Sequence, residues 1–169
     1  MSILNKIIIH CSATKEGQDV TAKEIKSWHK KRGWSDIGYH YVIRLNGKIE
    51  LGRMLNKNGC HTKGHNNSVG ICYVGGLDLE GKPKDTRTIE QKISLLLLIE
   101  KFKKINNKIK IHGHNQYSKK DCPCFDVNKE YNIKIKKNGG FYFNKLVRVV
   151  SWFNGFYKSN SKFNAYYKR

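Results

Sequence analysis

Apolar runs and polar breaks divide the first 131 residues into short blocks, and the period of each block names an element. Ile7, Ile8 and Ile9 form an unbroken β-branched run, the mark of a strand buried on both faces. A polar loop follows. Thr21 and Glu24 then make a capping-box pattern, Ile25, Trp28 and His29 fall on one helical face, and Gly33 stops the helix. Trp28 reads as core packing. Residues 38–43 read as a second strand, Asn46-Gly47 is a hairpin signal, and residues 48–51 return as the partner strand. Residues 69–74 give another buried strand closed by Gly75-Gly76, and residues 77–86 read as a polar, exposed loop. Thr88 and Gln91 open the longest helix, with an apolar stripe read through Ile89, Ile93, Leu96, Leu97 and Phe102 to Ile105. Residues 109–112 are the last core strand, with His112 and His114 at its end. This order predicts an α/β domain with a mixed central β-sheet flanked by helices.

The pattern changes after Tyr131. Asp and Glu disappear, while lysines, arginines and ten aromatic residues from Phe141 to Tyr167 remain. The chain therefore reads as a domain at residues 1–131 followed by a basic, aromatic-rich extension at 132–169, with Gly139-Gly140 as a hinge. Leu146, Val149, Val150, Phe153 and Tyr157 recur at helical spacing, with Lys145, Arg148 and Ser151 opposite, so the extension is expected to be helical. Its apolar face either packs on the core or, through residues 141–169, meets an anionic membrane or envelope surface, with a protein partner or nucleic acid as the remaining readings.

Lys and Arg number 33 against 13 Asp and Glu, a formal net charge of +20. Such an excess points to an anionic partner: nucleic acid, a membrane surface or an acidic cell-wall polymer. Nucleic acid ranks low, because no recognised binding motif accompanies the charge. The five cysteines are odd in number and irregular in spacing. They make a poor disulfide framework and suit a reducing compartment with a thiol free for a metal. Near the N-terminus only three isoleucines separate Lys6 from His10, far short of a secretory core, and no stretch approaches a transmembrane length.

The stretch from His114 to Asp126 sets a histidine, Lys120 and Cys122 close together at the end of an apolar run. A histidine at a strand end and a cysteine beyond a polar loop can meet one metal ion. A catalytic zinc site usually has three protein ligands and keeps one position for water. The best candidate for the third is His10, which ends the first apolar run. His112 and His114 lie two apart, so on a strand they would share a face.

Eight segments resemble the zinc-dependent N-acetylmuramoyl-L-alanine amidases, whose fold is shared with peptidoglycan recognition proteins; the likeness is greatest to the small amidase endolysins of T-seven-type phages. They are Ile9-His10-Cys11-Ser12-Ala13-Thr14, the run from Glu24 to Lys30, Gly38-Tyr39-His40-Tyr41, Leu51-Gly52-Arg53, His61-Thr62-Lys63-Gly64-His65, Asn67-Ser68-Val69-Gly70-Ile71, Val74-Gly75-Gly76 and Cys122-Pro123-Cys124-Phe125-Asp126. Order and spacing agree along most of residues 3–131. The resemblance implies His10, His114 and Cys122 as ligands of one Zn2+ ion, Tyr39 and Lys120 in catalytic support, and His61 lining the substrate site. The eight-residue offset to Cys122 favours His114 over His112, and Cys124 reads as packing. Also implied are bacterial peptidoglycan as partner, a monomer, synthesis in the host cytoplasm, and action on the wall after release. The rival reading is a non-catalytic peptidoglycan-binding module; such relatives lose the metal ligands, above all the cysteine, whereas Cys122 is present here.

Overall fold

The isoleucine run forms the middle of β1 (Lys6–Cys11), and all three side chains are fully buried. Burying each is worth roughly 2 kcal/mol, which favours an interior place for β1 in the sheet. The computed structural model of the protein describes residues 5–131; the extension and the helix expected within 132–169 lie outside the described residues. β2 (Thr14–Lys15) follows, then α1 (Ala22–Lys31), β3 (Tyr41–Ile43), β4 (Ile49–Leu51), β5 (Val69–Tyr73), β6 (Gly76–Leu77), α2 (Ile89–Ile105), β7 (Lys110–Gly113) and α3 (Val127–Tyr131).

The main sheet has the order β4-β3-β5-β1-β7, with only β3–β4 antiparallel. The mixed sheet expected from the pattern is therefore the one observed. Its two faces carry separate cores. Ile7, Ile9, Tyr41, Ile43, Ile71 and Tyr73 pack with Leu95, Leu98, Ile99 and Phe102 of α2 and with Val127 of α3. Val42 and Val74 pack with Ala22 and Ile25 of α1, and Trp28 and Tyr39 join them. Strand alternation sends Ile9 and Cys11 toward α2 and leaves His10 facing the α1 side, beside Tyr39.

Both capping boxes form: Thr21 with Glu24, and Thr88 with Gln91. The α2 stripe differs from its sequence reading. Ile89 and Ile105 are 72% and 73% exposed and Leu96 and Leu97 are half-buried, whereas Ile93 and Phe102 are buried as read, together with Gln91, Leu95, Leu98 and Ile99. Gln91 is fully buried because its amide donates to the carbonyls of Ile43 (3.1 Å) and Val74 (2.8 Å), joining the helix to the ends of β3 and β5.

Residues 77–86 are not wholly an exposed loop. Gly76–Leu77 pairs with Thr14–Lys15 as a second small parallel sheet, and Thr86 is buried. Next to it Arg87, its side chain 1% exposed, pairs with Asp85 and Glu130 (2.8 Å each) and donates to the Tyr131 hydroxyl. Its guanidinium lies 3.3 Å above the centroid of the Phe125 ring. This one side chain ties α3 and the Cys122–Phe125 loop to the start of α2. Arg87→Met is expected to cost about 3 kcal/mol, measured by urea unfolding, because it breaks a buried ion pair and removes a cation–π contact. An unchanged midpoint would show that the network is idle.

Candidate metal centre

The centre lies where the C-terminal end of β1 meets the segment after β7. His10 is 1% exposed, and its register partner on β5 is Cys72. His114 is not on a strand. β7 stops at Gly113, and His114 begins a 3-10 turn, His114–Gln116. This separates the two histidines that the sequence placed on one strand face: His112 turns toward Tyr117, 5.4 Å between ring centroids, whereas the His114 ring lies tilted, 4.6 Å from that of His10. The Cys122–Phe125 loop is held by backbone bonds from Asn115 N to Cys122 O and from Cys124 N to Asp121 O, both 2.6 Å. The buried Tyr73 hydroxyl also donates to Pro123 O at 2.6 Å. The Cys122-Pro123 peptide is cis.

One ligand atom each from His10, His114 and Cys122 lies within 4.8 Å of the others, and among the described residues this is the group able to hold a metal ion. His10 Nδ1 is 3.8 Å from Cys122 Sγ. Tetrahedral zinc with ordinary Zn–N and Zn–S bonds would place such atoms about 3.6 Å apart. The donor set, two imidazoles and a thiol, is the borderline-soft set that zinc takes, so the residues fit the ion.

The hydrogen-bond network assigns the His10 tautomer. His61 Nε2 lies 3.2 Å from the carbonyl of Ser68, which can only accept, so that nitrogen carries the proton. His61 Nδ1 is then an acceptor, and His10 Nε2, 3.1 Å away, donates to it, with Thr62 Oγ1 at 3.4 Å. The lone pair of His10 is left on Nδ1, facing Cys122. Gly59 and Gly70 make this possible: a Cβ on either would collide with the His61 ring. His61 is thus a support for His10, a role that its place in the sequence did not reveal. His61→Ala should lower metal affinity about 10–100-fold, as losses of such partners do, measured by chelator competition. Unchanged affinity would contradict the relay.

Electrostatics keep the site ready for a cation. Burial first, then His61, His114 and Lys120, hold His10 well below its usual protonation range; burial and Lys120 lower His114 too. Both imidazoles are therefore neutral at neutral pH. The backbone N–H of Cys11 donates to Cys122 Sγ at 3.3 Å. Contact with the Cys122 sulfur is the largest cause pushing the Cys11 thiol up to about 12, so Cys11 stays a protonated neighbour. Tyr39 lies 5.1 Å from His10 between ring centroids, and burial, then Cys72, Cys122 and Cys11, raise its hydroxyl well above the usual range. Lys120 is exposed, yet close enough to bias both histidines. It lines an open cavity of about 300 Å³ with Pro83, Asn115, Asp121, Cys124 and Phe125. His29 and His40 are structural: His29 Nδ1 accepts from Gly38 N, and His40 bridges Gly70 N and Lys57 O.

A family model described as N-acetylmuramoyl-L-alanine amidase matches residues 2–125. The endolysin of Escherichia phage T7 is 42% identical over 125 residues, covering 73% of this chain and 82% of that protein. The endolysin of Enterobacteria phage K11 is 40% identical over 126 residues, covering 74% and 83%. Among solved structures, the N-acetylmuramoyl-L-alanine amidase LysC from Clostridium intestinale superposes with a TM-score of 0.65 at 28% identity, covering 78% of this chain and 87% of that one.

Proposed function

The chain belongs to the N-acetylmuramoyl-L-alanine amidase family, and from that premise we propose how its residues carry out the hydrolysis. The protein is a peptidoglycan amidase: it cleaves the amide that joins the lactyl group of N-acetylmuramic acid to L-alanine of the stem peptide, as an endolysin does. The reading of the centre is that His10, His114 and Cys122 hold one zinc ion. The observation that carries it is the convergence of their ligand atoms to within 4.8 Å.

Zinc bound there supplies a Lewis acid for the scissile carbonyl and lowers the pKa of water toward about 7. The chain's own groups do the rest. Two neutral imidazoles and one thiolate offset only one of the ion's two positive charges. The Ser68–His61 relay keeps the His10 lone pair on Nδ1. The Tyr39 hydroxyl, held protonated beside His10, orients the attacking water by hydrogen bonding. The Lys120 ammonium, free in the open cavity, faces the oxygen on which negative charge develops.

Digestion of purified peptidoglycan, with mass analysis of the products, tests the whole reading. Peptides beginning with L-alanine should be released, and a zinc chelator should stop their release until zinc is restored. Cleavage elsewhere in the polymer, or full activity in chelator, would overturn it.

A further inference from the structure

We propose that Cys11 and Cys124 are a redox pair that closes to an intramolecular disulfide in an oxidising compartment, while Cys122 keeps its place in the metal centre. The two sulfurs touch, 3.8 Å apart, although their residues are 113 positions apart in the chain. Gly76 leaves the room they need. A Cβ there would sit 2.5 Å from Cys11 Sγ and 3.6 Å from Cys124 Sγ, and the Gly76 carbonyl instead accepts from Cys124 Sγ at 3.2 Å. A disulfide needs about 2.03 Å between sulfurs, so closure asks each side chain to move by roughly 1 Å.

Access divides the roles. Cys124 lines the open cavity of about 300 Å³, whereas Cys11 is 6% exposed and sits behind it. A low-molecular-weight disulfide, RSSR, therefore reaches Cys124 first. Cys124 displaces one RSH and forms a mixed disulfide. The Cys11 thiol, protonated at rest, loses its proton to solvent as its sulfur attacks the Cys124 sulfur and releases the second RSH. Two protein thiols lose two electrons and two protons, and RSSR is reduced to two RSH. The competing partner is Cys122, whose sulfur lies 3.3 Å from the Cys11 backbone nitrogen. Cys122 is engaged by the Cys11 backbone N–H and faces His10, so oxidation is directed to Cys124.

The bond would tie the strand end that carries His10 to the loop that carries Cys122. Thiols stay reduced inside the cell and oxidise outside it, where cell walls lie. The clamp would then form where the enzyme works. It closes a long loop and is expected to raise the thermal midpoint by about 5–10 °C.

The test uses the full chain as purified with its metal, equilibrated in graded ratios of oxidised to reduced glutathione. Thiols counted after acid quench and unfolding in chelator should fall from five to three. Non-reducing peptide mapping should find Cys11 joined to Cys124, with zinc content unchanged. Cys124→Ser should hold its four remaining thiols throughout. The proposal is overturned if all five thiols survive the most oxidising buffer, if Cys122 enters the bond and zinc is lost, or if the Cys124→Ser chain still loses two thiols. Because thiol counting and mapping do not read hydrolysis, failure here is distinguishable from failure of the zinc amidase reading.

Discussion

Cys122→Ala should yield a folded protein that holds no zinc and hydrolyses peptidoglycan at least a thousandfold more slowly. Folding should survive because the loop is anchored by groups other than the thiol: Asn115 N on Cys122 O, Cys124 N on Asp121 O, and the Tyr73 hydroxyl on Pro123 O. What is lost is the one anionic donor opposite His10 Nδ1. Two neutral imidazoles bind zinc far more weakly than the full set, and without the ion there is no Lewis acid for an amide, whose uncatalysed hydrolysis is very slow. His10→Ala and His114→Ala should each cost nearly as much as Cys122→Ala, and combining them should add little, because the ligands act as a unit. Zinc content by atomic absorption and turnover on purified walls are the measurements. A Cys122→Ala enzyme within tenfold of the parent would rule out this centre.

The parts of this site that could be read from sequence are those fixed by short-range pattern. An all-isoleucine run reads as a strand buried on both faces, so it carried His10 to an interior strand, between β5 and β7. Thr21 with Glu24 and Thr88 with Gln91 marked helix starts because each pair satisfies free N–H groups within one turn. The face of α2 was not legible. Leu95 to Ile99 are apolar around most of the helix circumference, so periodicity could not choose the inner side, and the choice went to the face on which Gln91 reaches two strand-end carbonyls. Arg87 looked like any loop cation; its burial depends on Glu130 and Phe125, which only the finished fold brings to it. His114 was read on the strand because it closes the apolar run of Ile109 to His112, yet Gly113 ends β7 and the 3-10 turn swings His114 toward His10. The Ser68–His61–His10 relay joins two loop residues to β1, and no local pattern encodes it.

Lys120→Ala is expected to lower kcat about a hundredfold with KM little changed, the cost of about 3 kcal/mol typical of losing a donor to a developing oxyanion. A second measurement separates that role from a mere surface charge. The Lys120 ammonium helps hold both His10 and His114 below their ordinary protonation range. Removing it lets each imidazole take a proton at a higher pH. Protonation competes with zinc, so the pH at which metal and activity are lost on acidification should move upward in Lys120→Ala, and less so at high salt, since the lysine is exposed. Lys120→Arg keeps the charge but changes the shape of the donor: it should restore the acid limb and only part of kcat. If Lys120→Ala moves the acid limb and leaves kcat at neutral pH intact, the lysine tunes the ligands and does not face the oxyanion. A fall in kcat that Lys120→Arg only partly recovers, with the acid limb fully restored, assigns it both tasks.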